Sequence, residues 1–554
     1  PEGQPGHPGG PGGPGEHGHG PHGGPGGPGG EAHRGGASFD AVAEVLGMTA
    51  DELRTQLQDN TLGEVADAAL RREVRLPALL AVRAGLAEDR AAGATPSPIA
   101  LLTALFMLGE PVAAAELDTA LRRTRTRDAV AMGLVTEPDD DGMVRALVDL
   151  RPHEAGDAKG EVRWWVASDL GELTTGRALE PDHVLGIGGA GLTLAALTPR
   201  TPVRTALDLG CGCGIQTLYL LRHAQHVTAT DISERALAFT AFNAALAGTE
   251  EGRLELLAGS FLEPVAGRRF DLIATNPPFV ITPPAVREAG LPLMEYRDAG
   301  GPVLPALVPR LGDHLEPDGT AVMLGNWEHH RFQDWRDRVE SWVPDGVDAW
   351  AIERETQDPV EYATMWLRDG GETPERDREG FETALAAWIG DFETRGVEEV
   401  GFGYLMLHRP APGEERAPWR VLEEVATQGE GPLGPHVAES LATRSGLAGM
   451  SDDAVADLYP TVSADVTEER HLRPGESEPS VILIRQGGAF GRSVQADTAL
   501  AALIEVADGE LTVRQIATAV AALTGVDARA LTADMVAATR SLAAHGFLTL
   551  ATDE

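Results

Sequence analysis

The run Asp208-Leu209-Gly210-Cys211-Gly212-Cys213-Gly214 follows an apolar stretch and precedes a helical pattern over 215–222. Glycine at alternate positions lets a backbone approach a ligand with no Cβ in between. The start of the following helix offers N–H groups that have no partner within the helix. In a dinucleotide enzyme such groups hold a pyrophosphate. Here an acid stands before the glycines, and a carboxylate repels a pyrophosphate but suits an ammonium. S-Adenosylmethionine has no phosphate and presents the ammonium of an amino-acid end, so the spelling favours that cofactor over NAD. The next apolar run ends in Asp231, at the distance expected of the next strand end. A carboxylate there accepts hydrogen bonds from both ribose hydroxyls. Gly210, Gly212 and Gly214 are therefore expected to cradle the cofactor, Asp208 to face its ammonium, and Asp231, with Ile232 beside it, to hold its nucleoside half. Ser233 reads as the N-cap of the helix that follows.

A further run, Phe270-Asp271-Leu272-Ile273-Ala274-Thr275, leads into Asn276-Pro277-Pro278-Phe279. The Asn276 side-chain carbonyl and the Pro277 main-chain carbonyl can each accept from one N–H of a planar NH₂ group. That holds the nitrogen in line with a sulfonium methyl and draws its lone pair out of conjugation, which makes a poor nucleophile serviceable. Phe279 offers a face for stacking on an amide or a base, and Pro277 and Pro278 stiffen the turn. Asn-Pro-Pro is also ordinary turn chemistry, but the carboxyl end of a strand is where open α/β sheets bind ligands. Cys211 and Cys213, the only two cysteines, lack local partners for a closed metal site and read as small loop residues, so no metal is expected.

These residues need a sheet to position them. From about 180 to 430 the chain alternates strand and helix patterns, the rhythm of a parallel, doubly wound sheet. Strands are predicted at 205–209, 227–231, 254–258, 272–275, 320–324, 349–353 and 404–408. That order, with a helix-rich stretch before the last strand, suits a seven-stranded Rossmann-like α/β fold of the methyltransferase variety, in which the last strand inserts antiparallel beside the fifth and sixth. Four segments are expected: a disordered Gly/Pro/His-rich tail (1–37), a mainly helical N-terminal domain (38–160), the sheet domain (161–430) and a C-terminal winged-helix-like domain (431–554). The tail carries His7, His17, His19, His22 and His33 and has too little apolar surface to offset its ordering entropy. Helices are predicted at 52–58, opened by a Thr49…Glu52 capping box, and at 62–72, 76–87, 99–108 and 113–122. Strands are predicted at 143–150 and 161–167, and the C-terminal unit reads as helices at 498–506, 512–523 and 532–545 with a strand at 546–550.

The 554 residues exceed one ordinary core, and 42% are hydrophobic, enough to bury several. The formal net charge of −40 repels polyanions and argues against tight nucleic-acid binding, where cationic side chains supply much of the affinity. No disulfide framework is available, no apolar run has the length of a membrane span and no signal peptide opens the chain, so a cytoplasmic protein without a membrane partner is expected. The composition sets no oligomeric state.

The motifs at 208–214, 231 and 276–279 resemble class I methyltransferases that carry an (N/D)PP(Y/F) motif. That group includes adenine-N6 methyltransferases of DNA and RNA, rRNA guanine-N2 methyltransferases and release-factor glutamine methyltransferases. The run Gly259-Ser260-Phe261-Leu262-Glu263-Pro264-Val265 is similar to the glutamine branch, with Ser260 in place of the acid that touches the adenine amino group. The resemblance covers roughly 160–430 and fits a large actinobacterial multidomain type. It implies S-adenosylmethionine as cofactor, Ser260 and Phe261 on its adenine side, and Asn276 to Phe279 as the catalytic turn. It implies N-methylation of a planar nitrogen, with a protein glutamine side chain favoured, an RNA or DNA base as the alternative, and a SAM-fold binding protein without catalysis as a third reading. Gly186…Gly191 matches G-x-G-x-x-G without a preceding strand and is read as the segment covering the cofactor. His183, Tyr296-Arg297-Asp298 and Asn326-Trp327 are the remaining pocket candidates.

Overall fold

The computed structural model describes residues 75–157, 160–176, 179–288, 302–413, 416–475 and 477–552. The tail at 1–37, the capping box at 49–52, the helices at 52–58 and 62–72, and Tyr296 to Asp298 lie outside them. The first described helix is Arg75–Ala91. Pro98–Leu102 follows and runs into a π-helical turn, Thr103–Met107, which is wholly buried. Ala114–Ala120 and Thr126–Ala131 complete this part. Short strands β1 (Val112–Ala113) and β2 (Met143–Val144) pair antiparallel. A long hairpin, β3 (Asp149–Asp157) with β4 (Gly160–Ser168), comes next.

The central sheet comprises β5 (Val203–Leu209), β6 (Ala224–Asp231), β7 (Leu254–Ala258), β8 (Phe270–Thr275), β9 (Leu315–His330), β10 (Asp348–Gln357), β11 (Val397–His408) and β12 (Arg420–Glu424). Its order is β12-β10-β11-β9-β8-β5-β6-β7. As predicted, β11 lies antiparallel between β9 and β10. The eighth strand, β12, pairs parallel with β10 at the edge and was not predicted. Only Val421 and Leu422 in it are apolar, and Glu423 is half-buried there, bound by Arg492 from the C-terminal unit. A single-segment pattern does not carry that long-range pairing.

The order of strand addition reverses between the parallel strands β5 and β8: from β5 the sheet grows outward through β6 and β7, and the later strands start at β8 on its other side. The carboxyl ends of β5 and β8 thus flank the crevice where such sheets take ligands. Both strands are buried, as a two-sided sheet demands. Leu207, Leu209 and Ile273 pack on one face with Leu304, Leu307 and Trp327. Ala206, Leu272 and Ala274 pack on the other with Leu194 and Leu197. β9 pairs Met323 with Thr275 and then continues to His330, forming with β11 a wall that stands beyond the end of β8.

Two helices, Pro359–Asp369 and Arg378–Arg395, fill the connection from β10 to β11. Their aromatic side chains form a separate core that includes Val280 and Val286. Helix Leu433–Ala448 packs Leu433, Val437 and Leu441 against Trp350, Ile352 and Tyr404 of the sheet. The C-terminal unit adds β13 (Tyr459–Val462) paired with β17 (Leu548–Ala551). A three-stranded sheet follows, β14 (Val466–His471), β15 (Val481–Gln486) and β16 (Ser493–Ala496), with helices Thr498–Glu505, Val513–Thr524 and Ala528–Ala544. The three helices agree with the predicted ones, whereas β14 to β16, whose residues are mostly half-buried or exposed, were not predicted. Among the described residues no helix is long and apolar enough to cross a membrane.

Candidate functional site

β5 delivers the glycine loop and β8 delivers Asn276 from neighbouring positions, since Leu209 pairs with Thr275. The Thr275 hydroxyl donates to the Leu209 carbonyl at 2.7 Å and fixes that junction. The loop is anchored behind by Gly210 and Cys211 N–H groups donating to Thr230 O at 2.9 and 3.0 Å. Gly210 and Gly212 have positive φ, and a Cβ at either would meet nothing within 4 Å. Open space therefore lies in front of the loop, as a bound ligand requires. Gly214 differs: at φ +83° a Cβ there would stand 2.8–3.0 Å from Thr240, so this glycine serves close helix packing. Thr240 Oγ1 in turn donates to Gly212 O at 3.0 Å.

Asp231 ends β6 and holds both turns. Its Oδ2 accepts from Gly212 N–H at 3.0 Å and its Oδ1 from Ser233 N–H at 2.9 Å. Ser233 caps the helix Glu234–Leu246 by accepting from Ala236 N–H, as its position predicts. Ile232 beside it is 66% exposed, an uncovered aliphatic surface next to a carboxylate. The Gly259 N–H donates to Asp231 O at 2.9 Å, which brings half-buried Ser260 and Phe261 alongside. Phe261 adopts φ +44°, unusual for a residue with a side chain.

Asp208 is turned inward. It is 1% exposed, and its Oδ2 accepts from Thr217 Oγ1 at 2.6 Å. The carboxylate braces the loop against its helix, so its influence on a ligand passes through the loop it holds, where the spacing had suggested direct contact with an ammonium. Burial pushes its carboxyl up to about 7. A raised acid favours folding while it is protonated, and that contribution fades as pH rises from the ordinary carboxylate range toward 7. Asp208→Asn should therefore lose less stability than the parent between about pH 5 and about pH 8. Urea unfolding at both pH values measures this, and an unchanged difference between the two proteins would show that the group does not titrate there.

Cys211 and Cys213 are buried at 5% and 4% exposure, and burial pushes both thiols up, Cys213 to about 11. Among the described residues no group of three His, Cys, Asp or Glu side chains could hold a metal. The loop is tied to the β3–β4 hairpin by Asn243, whose Nδ2 donates to Cys213 O at 2.7 Å and to Ala167 O at 2.8 Å. Asn243 lies outside every predicted site motif. An amide in an otherwise apolar helix segment, 0% exposed, was the available signal.

At the end of β8, Asn276 is half-buried and Pro277 buried, while Pro278 and Phe279 are half-buried. The Asn276 Oδ1 atom is itself buried and has no hydrogen-bond partner among the described residues. A buried acceptor left empty is unfavourable by itself, so its occurrence calls for a donor from outside the chain. Phe279 packs edge-on against Trp366 with centroids 6.5 Å apart. That contact belongs to the β10–β11 insertion, whose aromatic residues also lie outside the predicted site motifs. Asn326 and Trp327 are buried, at 3% and 1% exposure. Trp327 donates to Glu353, and neither side chain lies open to the crevice. His183 is buried too, with its imidazole pulled below the usual range by burial, near the Asp169–Arg235 ion pair. Gly186 abuts Ser168, and Gly189 opens the helix Gly189–Leu197 beside the crevice.

S-Adenosylmethionine matches this donor set. The space before Gly210 and Gly212 admits a ligand without a Cβ in the way, Asp231 can accept from vicinal hydroxyls, and Ile232 supplies apolar surface for a flat ring.

Comparison with known proteins agrees with this arrangement. The family described as "Methyltransferase small domain" matches residues 188–289, and a "Domain of unknown function (DUF7059)" matches 49–147. The ribosomal protein uL3 glutamine methyltransferase of Bradyrhizobium diazoefficiens is 32% identical over 143 residues, covering 24% of this chain and 44% of the relative. The release factor glutamine methyltransferase of Cereibacter sphaeroides is 46% identical over 92 residues, 16% of this chain and 32% of the relative. Ribosomal RNA small subunit methyltransferase C of Alcanivorax borkumensis is 36% identical over 137 residues, 25% of this chain and 36% of the relative. The chain thus spans less than half the length of each of these relatives. With the glycine loop, Asp231 and the Asn276 turn on one crevice, and with all three inside the family match at 188–289, the centre of this chain is a class I S-adenosylmethionine-dependent methyltransferase domain.

Proposed function

We propose that the chain is an N-methyltransferase that uses S-adenosylmethionine to methylate the side-chain amide of a protein glutamine. The observation that carries this is the empty, buried Asn276 Oδ1 beside the glycine loop. When bound, the cofactor supplies an electrophilic methyl group on sulfur. The chain holds it through the Gly210–Gly212 backbone and through Asp231, with Ile232, Ser260 and Phe261 on the adenine side and Gly214 and Asp208 bracing the loop. Asn276 Oδ1 and the Pro277 carbonyl accept the two N–H groups of the incoming amide and aim its lone pair at the methyl. Pro278 keeps the turn stiff and Phe279 covers the amide plane. In the transfer the amide lone pair would form the new bond to the methyl carbon as the methyl–sulfur bond breaks with its electron pair left on sulfur, and the nitrogen would release one proton to water, so no residue of unusual basicity is required.

The amide of a protein is favoured over a base because the wall beyond β8 offers little free positive charge. Arg338 and Arg395 both pair with Glu328, and Arg331 pairs with Glu398. A nucleic acid would have to compete with these carboxylates for each arginine, and a duplex would also have to flip its base out. Two of the named relatives methylate glutamine, and one is named for rRNA. The two buried, unpaired thiols suit a reducing cytoplasm, where we place the reaction. Transfer from methyl-labelled S-adenosylmethionine into a cell extract tests the substrate class. Protease-sensitive label supports the glutamine reading. Nuclease-sensitive label refutes it in favour of RNA or DNA methylation, and absence of label in either fraction supports a binding protein without catalysis.

A further inference from the structure

We propose that Tyr362 is a positioning residue for the Asn276 turn, and that the two-helix insertion between β10 and β11 is the device that sets this turn from outside the sheet. The proposal rests on the reading of Asn276 as the amide acceptor. Tyr362 lies on the helix Pro359–Asp369 and is 0% exposed. Its phenolic oxygen accepts from two donors at once: the Ile281 main-chain N–H at 2.9 Å and Asn326 Nδ2 at 2.7 Å. Ile281 stands two residues beyond Phe279 on the segment leaving the turn. Asn326 stands on β9, the strand paired with β8. One hydroxyl therefore joins the exit of the turn to the neighbouring strand.

The second helix completes the grip. Trp388 Nε1 donates to the Ile281 carbonyl at 3.1 Å, so both main-chain groups of Ile281 are held by side chains of the insertion. Phe279 meets Trp366 edge-on. Tyr362 itself is caged by Trp366, Trp388, Phe392 and Phe402, with centroids 5.7–6.3 Å away. The helix start is fixed by Asp358, which accepts from Val360 and Glu361 N–H groups at 2.7 and 2.9 Å. A cage fixes the ring without need of a hydroxyl. The two hydrogen bonds are what couple the ring to the turn, and small displacements of a reacting group cost large factors in rate.

Tyr362→Phe keeps the ring and removes the coupling. Hydrogen–deuterium exchange of the peptide containing Ile281 should speed up by about tenfold or more in this variant, while exchange at the 208–214 loop stays as in the parent. Unchanged exchange at Ile281 overturns the proposal whatever the substrate is. The second readout is the initial rate of label transfer into extract protein at saturating S-adenosylmethionine. It should fall by about tenfold or more, with the cofactor dissociation constant within about twofold of the parent. Phe547→Leu, a core change in the C-terminal unit, controls for lost stability and should leave the rate within about twofold. A Tyr362→Phe rate equal to the parent's, or a parallel loss of rate and cofactor affinity, overturns the positioning role. Should Asn276→Ala itself retain turnover, the failure lies in the functional reading, while the exchange result still judges the coupling through Tyr362.

Discussion

Asn276→Ala should lower methyl transfer by at least about a hundredfold while S-adenosylmethionine binding stays within about twofold of the parent. The side-chain carbonyl is the only part of Asn276 that the proposed chemistry uses, and in the protein alone it bonds to nothing among the described residues. Its removal therefore breaks no hydrogen bond among the described residues and leaves the glycine loop and Asp231 as they are. What disappears is an acceptor aimed where the amide nitrogen must sit, and a preorganised polar contact at a reacting group is worth about 2.7–4 kcal/mol. Asn276→Asp, which keeps an acceptor of the same length, should fall between the two. Initial rates of label transfer and calorimetric titration with the cofactor separate the outcomes. A retained rate would make Asn276 an ordinary turn residue. A joint loss of rate and binding would mean that it supports the fold.

The second large effect concerns stability. Glu423→Ala should destabilise the protein by about 3–5 kcal/mol, read as a lower urea midpoint with the C-terminal unit released first. Glu423 on β12 accepts from Arg492 Nη1 and Nη2 at 2.8 and 2.7 Å and from Trp350 Nε1 at 2.7 Å, with His545 at 3.6 Å. Arg444 lies nearby, and its Nε atom is buried without a partner among the described residues. Glu423 is thus the carboxylate that balances several cations between the sheet edge and the C-terminal unit. Deleting it strands the Arg492 charge in a half-dry interface, which costs more than the ion pair itself contributes. Burial opposes ionisation, but the hydrogen bonds from Arg492 and the nearby His545 hold the Glu423 carboxyl far below the usual range. Its stabilisation is therefore present above about pH 4.5 and is lost as pH falls below that, toward its depressed value. The parent should become acid-labile in that window, and the Ala variant should lack this component. An unchanged midpoint in Glu423→Ala would show that water replaces the carboxylate at no cost.

The site was legible in sequence where it depends on contiguous residues. Strand, glycine turn and helix at 203–221, the strand-end Asp231 and the turn at 276–279 are each local patterns, and the sheet brings them together because parallel βαβ units place successive carboxyl ends on one edge. The orientation of Asp208 was not legible: whether an acid in that position faces the ligand or Thr217 depends on a side-chain contact nine residues on. Tyr362 was invisible for a related reason. Its partner Ile281 lies 81 residues away, and an aromatic pair at i and i+4 in an amphipathic helix reads as core packing. The strand β12 escaped notice because Glu423 is held in place by an arginine 69 residues later.

The nature of the bond formed separates methyl transfer to a glutamine amide from every alternative, and one measurement addresses it directly. Extract protein is labelled by the enzyme with methyl-labelled S-adenosylmethionine, freed of nucleic acid, and hydrolysed in acid. An N-methylated glutamine amide splits under these conditions into a carboxylic acid and methylamine, so the prediction is volatile, basic label recovered in proportion to that incorporated, and none from the Asn276→Ala reaction. Label that stays on an amino acid after hydrolysis, or that was lost with the nucleic acid, would contradict methyl transfer to a glutamine side chain.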